Sequence, residues 1–237
     1  NNDSAYETAI EFKKNNINPI VLDSRKNPQS EIIKEALSLG IDVKFSHVVV
    51  TAKGYKKVKS CDIAMISDNK ENLIDISNIQ CDCICVSGFW TPTIHLASQS
   101  GSKTKFMEDI DAFIPDKSKQ KEITLGSANG IFTLDETLKT SFQKGYELSK
   151  EITNKDNKLQ SPQVSEKQHS KHDKFWCVPL PNGKKYKRFL DFQNDVTVSD
   201  IELALREGYR SIEHVKRYTT LGMATDQGRT SNLNGLQ

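Results

Sequence analysis

Residues 18–45 read NPIVLDSRKNPQSEIIKEALSLGIDVKF. Pro19 to Asp23 is a short apolar strand that ends in an acid. From Ser30 to Gly40 the apolar residues Ile32, Ile33, Ala36, Leu37 and Leu39 share one helical face. Ser30 is placed to cap that helix and Gly40 to close it. Ile41-Asp42-Val43 begins the next extended piece. Strand, helix and strand at this spacing make a βαβ unit, and such units build parallel sheets.

Upstream, Ala5 to Lys14 places Ala5, Ala9, Ile10 and Phe12 on a short amphipathic helix, with Asp3 or Ser4 as its cap and Asn18-Pro19 as its break. Downstream, Val48 to Val50, Cys61 to Ile66 and Cys81 to Val86 read as further strands of the same sheet. Thr91-Pro92 opens a helix through Ala97, and Phe113-Ile114-Pro115 is extended. Ile123 to Leu125 leads into Gly126-Ser127-Ala128-Asn129-Gly130, and a long helix covers Leu134 to Lys150. Residues 154–174 are rich in Lys, Gln, Ser and Asn and form a linker. An apolar pattern restarts at Phe175-Trp176 and Phe189. Thr197 to Gly208 is a helix with a capping-box pattern of Thr197 and Asp200. Ser211 to Thr220 is another, closed by Gly222, and Met223 to Asn234 is a polar loop. The expected units are therefore 1–85, 86–153, the linker 154–174 and a small helical unit at 175–237.

The 237 residues carry 33 Lys and Arg against 31 Asp and Glu, a formal charge of +2. That balance argues against a nucleic-acid-binding protein. No apolar run approaches the roughly 20 residues of a bilayer span. Five Cys make an odd count without a paired framework, which points to a reducing, cytoplasmic setting. The start at Asn1-Asn2-Asp3 and the stop at Gln237 are expected to be those of a fragment.

Several groups are candidates for chemistry. Asp23 lies where a dinucleotide-binding unit carries its ribose-binding acid. The turn before the first helix, however, is Asn1-Asn2-Asp3-Ser4-Ala5, with side chains where close pyrophosphate approach needs glycine and with Asp3 adding negative charge. A Rossmann-like unit that does not bind a dinucleotide at this turn is expected. Gly126 to Gly130, followed by a helix, provides small residues and backbone amides that can meet a ligand. Cys81, Cys83 and Cys85 alternate along a predicted strand and are expected to be small core residues. Cys177 stands alone. His95, His169, His172 and His214 have no metal or triad spacing, and His169 and His172 are expected to be solvated.

From Phe189 to Gly235 the chain resembles the alpha subunits of heterotetrameric bacterial sarcosine oxidases. The resemblance rests on Asp191-Phe192-Gln193-Asn194-Asp195-Val196-Thr197, on Glu207 through Met223, and on Thr225-Asp226-Gln227-Gly228. Residues 1–6 and Ser87-Gly88 through Leu96 to Gly101 resemble the same subunit. The family oxidatively demethylates sarcosine to glycine, forms hydrogen peroxide and passes the one-carbon unit to tetrahydrofolate. The resemblance implies beta, gamma and delta subunits as partners, with FAD and FMN mainly on beta and NAD+ on alpha. Sarcosine and tetrahydrofolate would then bind outside these residues.

The resemblance also implies a fold: part of a two-dinucleotide-binding-domain region of the pyridine nucleotide–disulfide oxidoreductase type, followed by a small helical [2Fe–2S]-type domain without its cluster. The NAD+-binding positions it points to are Gly126, Ser127, Ala128, Thr133, Leu134 and Asp135. It implies no catalytic residue on this chain. Relatives of the small domain carry Cys where this chain has Asp191, Gln193, Asp226 and Ser231, so no cluster and no other metal is expected. Two other readings are a stand-alone NAD(P)H-dependent flavoprotein reductase and a non-catalytic assembly module.

Overall fold

The computed structural model describes residues 1–88, 90–155, 160–164, 171–181 and 186–237. The architecture is mixed α/β. Helix α1 (Ser4–Lys14), strand β1 (Ile20–Asp23), helix α2 (Glu31–Ser38) and strand β2 (Asp42–Phe45) follow one another, and β1 pairs with β2 in parallel, Ile20 opposite Asp42 and Asp23 opposite Phe45. Ser30 caps α2 by accepting the Ile33 backbone N–H at 3.4 Å. Tyr6, Ala9, Ile10, Val21, Ile32, Ile33, Ala36 and Ile41 are buried together, with Val43 and Phe45 packed against them. Burying an aliphatic or aromatic side chain of this size contributes about 1.5–3 kcal/mol, so this apolar face drives the βαβ unit together.

The next strands depart from the expected parallel order. β3 (His47–Gly54), β4 (Val58–Ile66) and β5 (Leu73–Gln80) form an antiparallel meander in the order β3-β4-β5. Only residues 55–57 separate β3 from β4, whereas a parallel crossover needs about a dozen residues. The turn leaves no room for a side chain at Gly54, because a Cβ there would meet the Lys57 carbonyl oxygen at 1.9 Å. β5 is a strand that the sequence does not announce. Most of its side chains are exposed, so it lacks an apolar run.

Cys81 to Val86, expected to be a strand, is irregular. The Cys81 N–H still reaches the Lys59 carbonyl at 3.1 Å, but β4 starts at Val58 and the ladder has nothing further to pair with. The expected helix from Thr91 is shorter, α3 (His95–Gln99).

A hairpin of β6 (Thr104–Met107) and β7 (Ala112–Pro115) precedes a single 3-10 turn at Gly126–Asn129 and the long helix α4 (Leu134–Thr153). The C-terminal unit begins with the small hairpin β8 (Phe189–Asp191) and β9 (Val196–Thr197). It continues with α5 (Val198–Arg206) and α6 (Ile212–Thr219), which pack on one another. The capping box holds: the Asp200 carboxylate accepts the Thr197 N–H at 2.8 Å. The expected polar loop ends in a short helix, α7 (Asn232–Leu236).

Candidate functional site

The C-terminal end of β1 and the turn before α1 meet in a buried ionic cluster. Arg25 Nη2 lies 2.8 Å from a carboxylate oxygen of Asp3 and 2.8 Å from one of Asp23. The Arg25 side chain is 7% exposed and the two carboxylates are 2% exposed. Tyr6 donates its hydroxyl to Asp23 at 2.7 Å, and the Arg25 backbone N–H donates to the same group at 2.9 Å. Burial alone would raise the Asp23 carboxyl, but the bonds from Arg25 and Tyr6 outweigh it and hold the group below the usual carboxylate range.

The acid that stands at the ribose-binding position is therefore already saturated by the protein. The turn beside it is also filled. Asn2 donates to the Gly88 carbonyl, and Ser4 donates to Asn2 at 2.7 Å. Arg25 is the buried cation of this site that the sequence analysis does not single out. The Asp23-Ser24-Arg25 spacing was its only signal.

Residues 171–176 cross this end of the sheet. The Asp173 N–H donates to the Asn1 carbonyl at 2.9 Å, and the Asn1 side-chain amide donates to the Phe175 carbonyl at 3.1 Å. Ser24 donates to the Asp173 carboxylate at 3.2 Å, and Lys70 pairs with it. Next along the chain, Lys174 pairs with the buried Asp111 at 2.9 Å, so the segment bridges the first unit to the β6–β7 hairpin. A cavity of roughly 250 Å³ remains, lined among others by Arg25, Lys26, Lys70, Lys171 and His172. His172 is half-buried rather than solvated, and burial lowers its pKa. His95 and His214 are exposed; His169 lies outside the described residues.

The second candidate turn keeps its small residues for two reasons. Gly126 has φ +62° and Gly130 has φ +81°, both in the left-handed region. A Cβ on Gly130 would press on Ile110 at 2.8 Å, so that residue is also a packing point against the hairpin. Ser127 and Leu134 are exposed, while Ala128, Thr133 and Asp135 are half-buried. The six residues thus lie along one short stretch at the start of α4. No side chain caps the α4 N-terminus; Thr133 donates instead to Glu136 at 3.1 Å. Asp135 pairs with Lys139 at 2.6 Å.

The C-terminal unit brings together Asp191, Gln193, Asp226 and Ser231, the four positions where the resemblance implies Cys in a cluster-bearing domain. The buried Asp191 accepts the N–H groups of Gln193 (2.9 Å), Asn194 (3.3 Å) and Gly222 (2.8 Å), and the Ser231 hydroxyl at 3.3 Å. Asp226 accepts the Thr230 hydroxyl at 2.6 Å, the Thr230 N–H at 3.1 Å and the Gly228 N–H at 3.0 Å. Those bonds, led by the Thr230 hydroxyl, hold its pKa low, and the Gln193 amide adds to them. Iron–sulfur clusters need thiolates. These positions offer carboxylate, amide and hydroxyl groups already spent on the two loops, and they do not fit a cluster.

The cysteines also differ from expectation. Cys61 is buried and Cys81 half-buried, but Cys83 and Cys85 are exposed and their sulfurs are 3.9 Å apart. Cys177 is exposed beside Arg188. Among the described residues, no group of three or more His, Cys, Asp or Glu is placed to hold a metal, and no helix is long and apolar enough to cross a membrane.

Comparison with known proteins agrees with the resemblance read from the sequence. Residues 185–237 match the model of the sarcosine oxidase A3 domain. The sarcosine oxidase alpha subunit of Corynebacterium sp. strain P-1 is 29% identical over 98% of this chain and 24% of its own length. That of Rhizobium meliloti strain 1021 is 30% identical over 99% of this chain and 22% of its own length. The chain thus spans about a quarter of the relatives it matches. L-proline dehydrogenase from P. horikoshii aligns with 86% of this chain and 41% of its own at 20% identity, with a TM-score of 0.44, too loose a likeness to define a shared fold.

Proposed function

We propose that this chain, similar along its whole length to sarcosine oxidase alpha subunits, serves an oxidoreductase complex of that kind as a nucleotide-holding scaffold. In this reading residues 1–85 form an inserted domain of the NAD-binding type, and residues 86–153 return to a second dinucleotide-type domain. Residues 175–237 are a cluster-free relative of the small [2Fe–2S] domain. Sarcosine oxidation, peroxide formation and one-carbon transfer to tetrahydrofolate belong to the complete assembly with its beta, gamma and delta subunits.

The observation that carries this reading is the contrast between the two turns. At the first, Arg25 is shared by Asp3 and Asp23, and Asp23 also holds the Tyr6 hydroxyl, so its oxygens are already taken up by the protein. At the second, the α4 N-terminus is uncapped behind two left-handed glycines. NAD+ bound there would supply a hydride acceptor. Backbone groups of Gly126, Ser127 and Ala128 would line its approach, and the first amides of α4 would face its negative groups. Asp135 favours hydroxyl groups over phosphate, which suits a ribose rather than the pyrophosphate. Thr133 and Leu134 set the position of that first turn.

Calorimetry with NAD+ tests the assignment. Binding should be detected, should be lost when Asp135 is changed to Lys, and should survive Arg25→Lys. No binding to the wild type would favour a purely packing role, because a ligand selective for the folded chain must also raise its apparent stability. With sarcosine and oxygen, the chain alone should release no peroxide. Peroxide release would refute the placement of catalysis on partner chains.

A further inference from the structure

We infer that Cys83 and Cys85 form an oxidisable dithiol, a modification site that hydrogen peroxide closes into an intramolecular disulfide. Three observations place it there. Both thiols are exposed, so a small polar oxidant reaches them. Their sulfurs are 3.9 Å apart and share a hydrogen bond. The segment that carries them runs beyond the last ladder bond of β5, so no sheet pairing holds its backbone as the sulfurs approach the roughly 2.0 Å of a disulfide.

The other cysteines give a contrast. Cys61 is buried, and burial together with its bond to Cys81 pushes its thiol up to about 11, which keeps it protonated and inert. Cys177 is exposed, but its sulfur contacts Arg188 and the Val178 carbonyl rather than another thiol.

The chemistry balances with peroxide as the oxidant. Either thiol can donate to the other across the 3.9 Å contact, so either sulfur can attack first, and the step is the same when written from Cys83. The Cys83 sulfur attacks one peroxide oxygen, the O–O bond breaks, and one water leaves with the thiol proton. Cys85 then attacks the resulting sulfenic sulfur, the S–O bond breaks, and a second water leaves. Two thiols and one peroxide become one disulfide and two waters.

The test uses the full chain, reduced, freed of reductant and treated with hydrogen peroxide. Trypsin releases residues 71–103, which hold Cys81, Cys83 and Cys85 in one peptide. That peptide should lose two hydrogens and regain them with dithiothreitol. Cys83→Ser and Cys85→Ser should each abolish the loss, and Cys81→Ser should leave it intact. Three results would each overturn the inference: oxygen gain without hydrogen loss, dependence on Cys81, or Cys83 and Cys85 staying reduced at a dose that oxidises Cys177.

Discussion

Changing Arg25 to Leu removes the cation that two buried carboxylates share. Removing one partner of a buried ion pair costs about 3–5 kcal/mol, because the charge left behind has lost both water and its counter-ion. Here Asp23 keeps the Tyr6 hydroxyl and the backbone N–H of residue 25, and Leu preserves most of the buried volume. The lower end, about 3 kcal/mol, is therefore expected. With a urea dependence of about 2 kcal/mol per molar, the unfolding midpoint should fall by about 1.5 M, followed by circular dichroism.

The pH dependence of that loss is diagnostic. In the wild type the Asp23 pKa is below its unfolded value, so its stabilisation is present above the unfolded pKa of about 3.9 and is lost as pH falls through the folded one. Without the guanidinium, burial prevails and the folded pKa moves above the unfolded value. Protonation then relieves the variant as pH falls. The gap between the two proteins should be largest near pH 7.5 and clearly smaller near pH 4.5. A loss below about 1 kcal/mol, or the same loss at both pH values, would refute the account of Arg25 as the cation that holds these carboxylates ionised in the interior.

Other substitutions probe the remaining contacts. Asp191→Ala should cost about 2–4 kcal/mol in the C-terminal unit, read by urea unfolding, because it orphans the Gly222 N–H and the buried Ser231 hydroxyl. Replacing Asp191, Gln193, Asp226 and Ser231 together by Cys should yield a chain that takes up iron and sulfide with visible absorbance. A colourless product after anaerobic reconstitution would mean that the two loops do not meet at cluster distance. Gly145→Ala, in the middle of α4 with open space around the new Cβ, should stabilise by about 0.5–1 kcal/mol. Gly130→Ala should instead destabilise by about 1–2 kcal/mol, since φ is +81° and Ile110 stands in the way; thermal melts of both variants check the difference in sign.

The parts of the fold legible in the sequence are those where one residue pattern has one physical solution. Ser30 through Gly40 states a helix, its cap and its stop, and the neighbouring apolar runs leave parallel pairing as the way to bury it. The meander was half legible. The runs at Val48–Val50 and Cys61–Ile66 mark two strands, but their direction depends on the short turn between Gly54 and Val58, which a reading of apolar runs passes over. β5 was hidden because an edge strand with mostly exposed side chains carries no apolar signature, whereas the more apolar Cys81–Val86 has no neighbour to pair with. For the candidate sites, glycine turns and missing thiols are written in residue type. The neutralisation of Asp23 is not, because it depends on a cation two residues away folding back toward Asp3.

The crossing of residues 171–176 over the first unit changes what the linker is. Helix α4 ends at Thr153, and the bonds at Lys171 to Phe175 fix the chain again beyond it. Lengthening a loop whose ends are already held costs only about 0.6 kcal/mol for each doubling. A fluorescent reporter or an affinity sequence spliced between the exposed Ser161 and Pro162 should thus be carried as a passenger, giving a handle on the assembly that leaves α4 and the crossing in place.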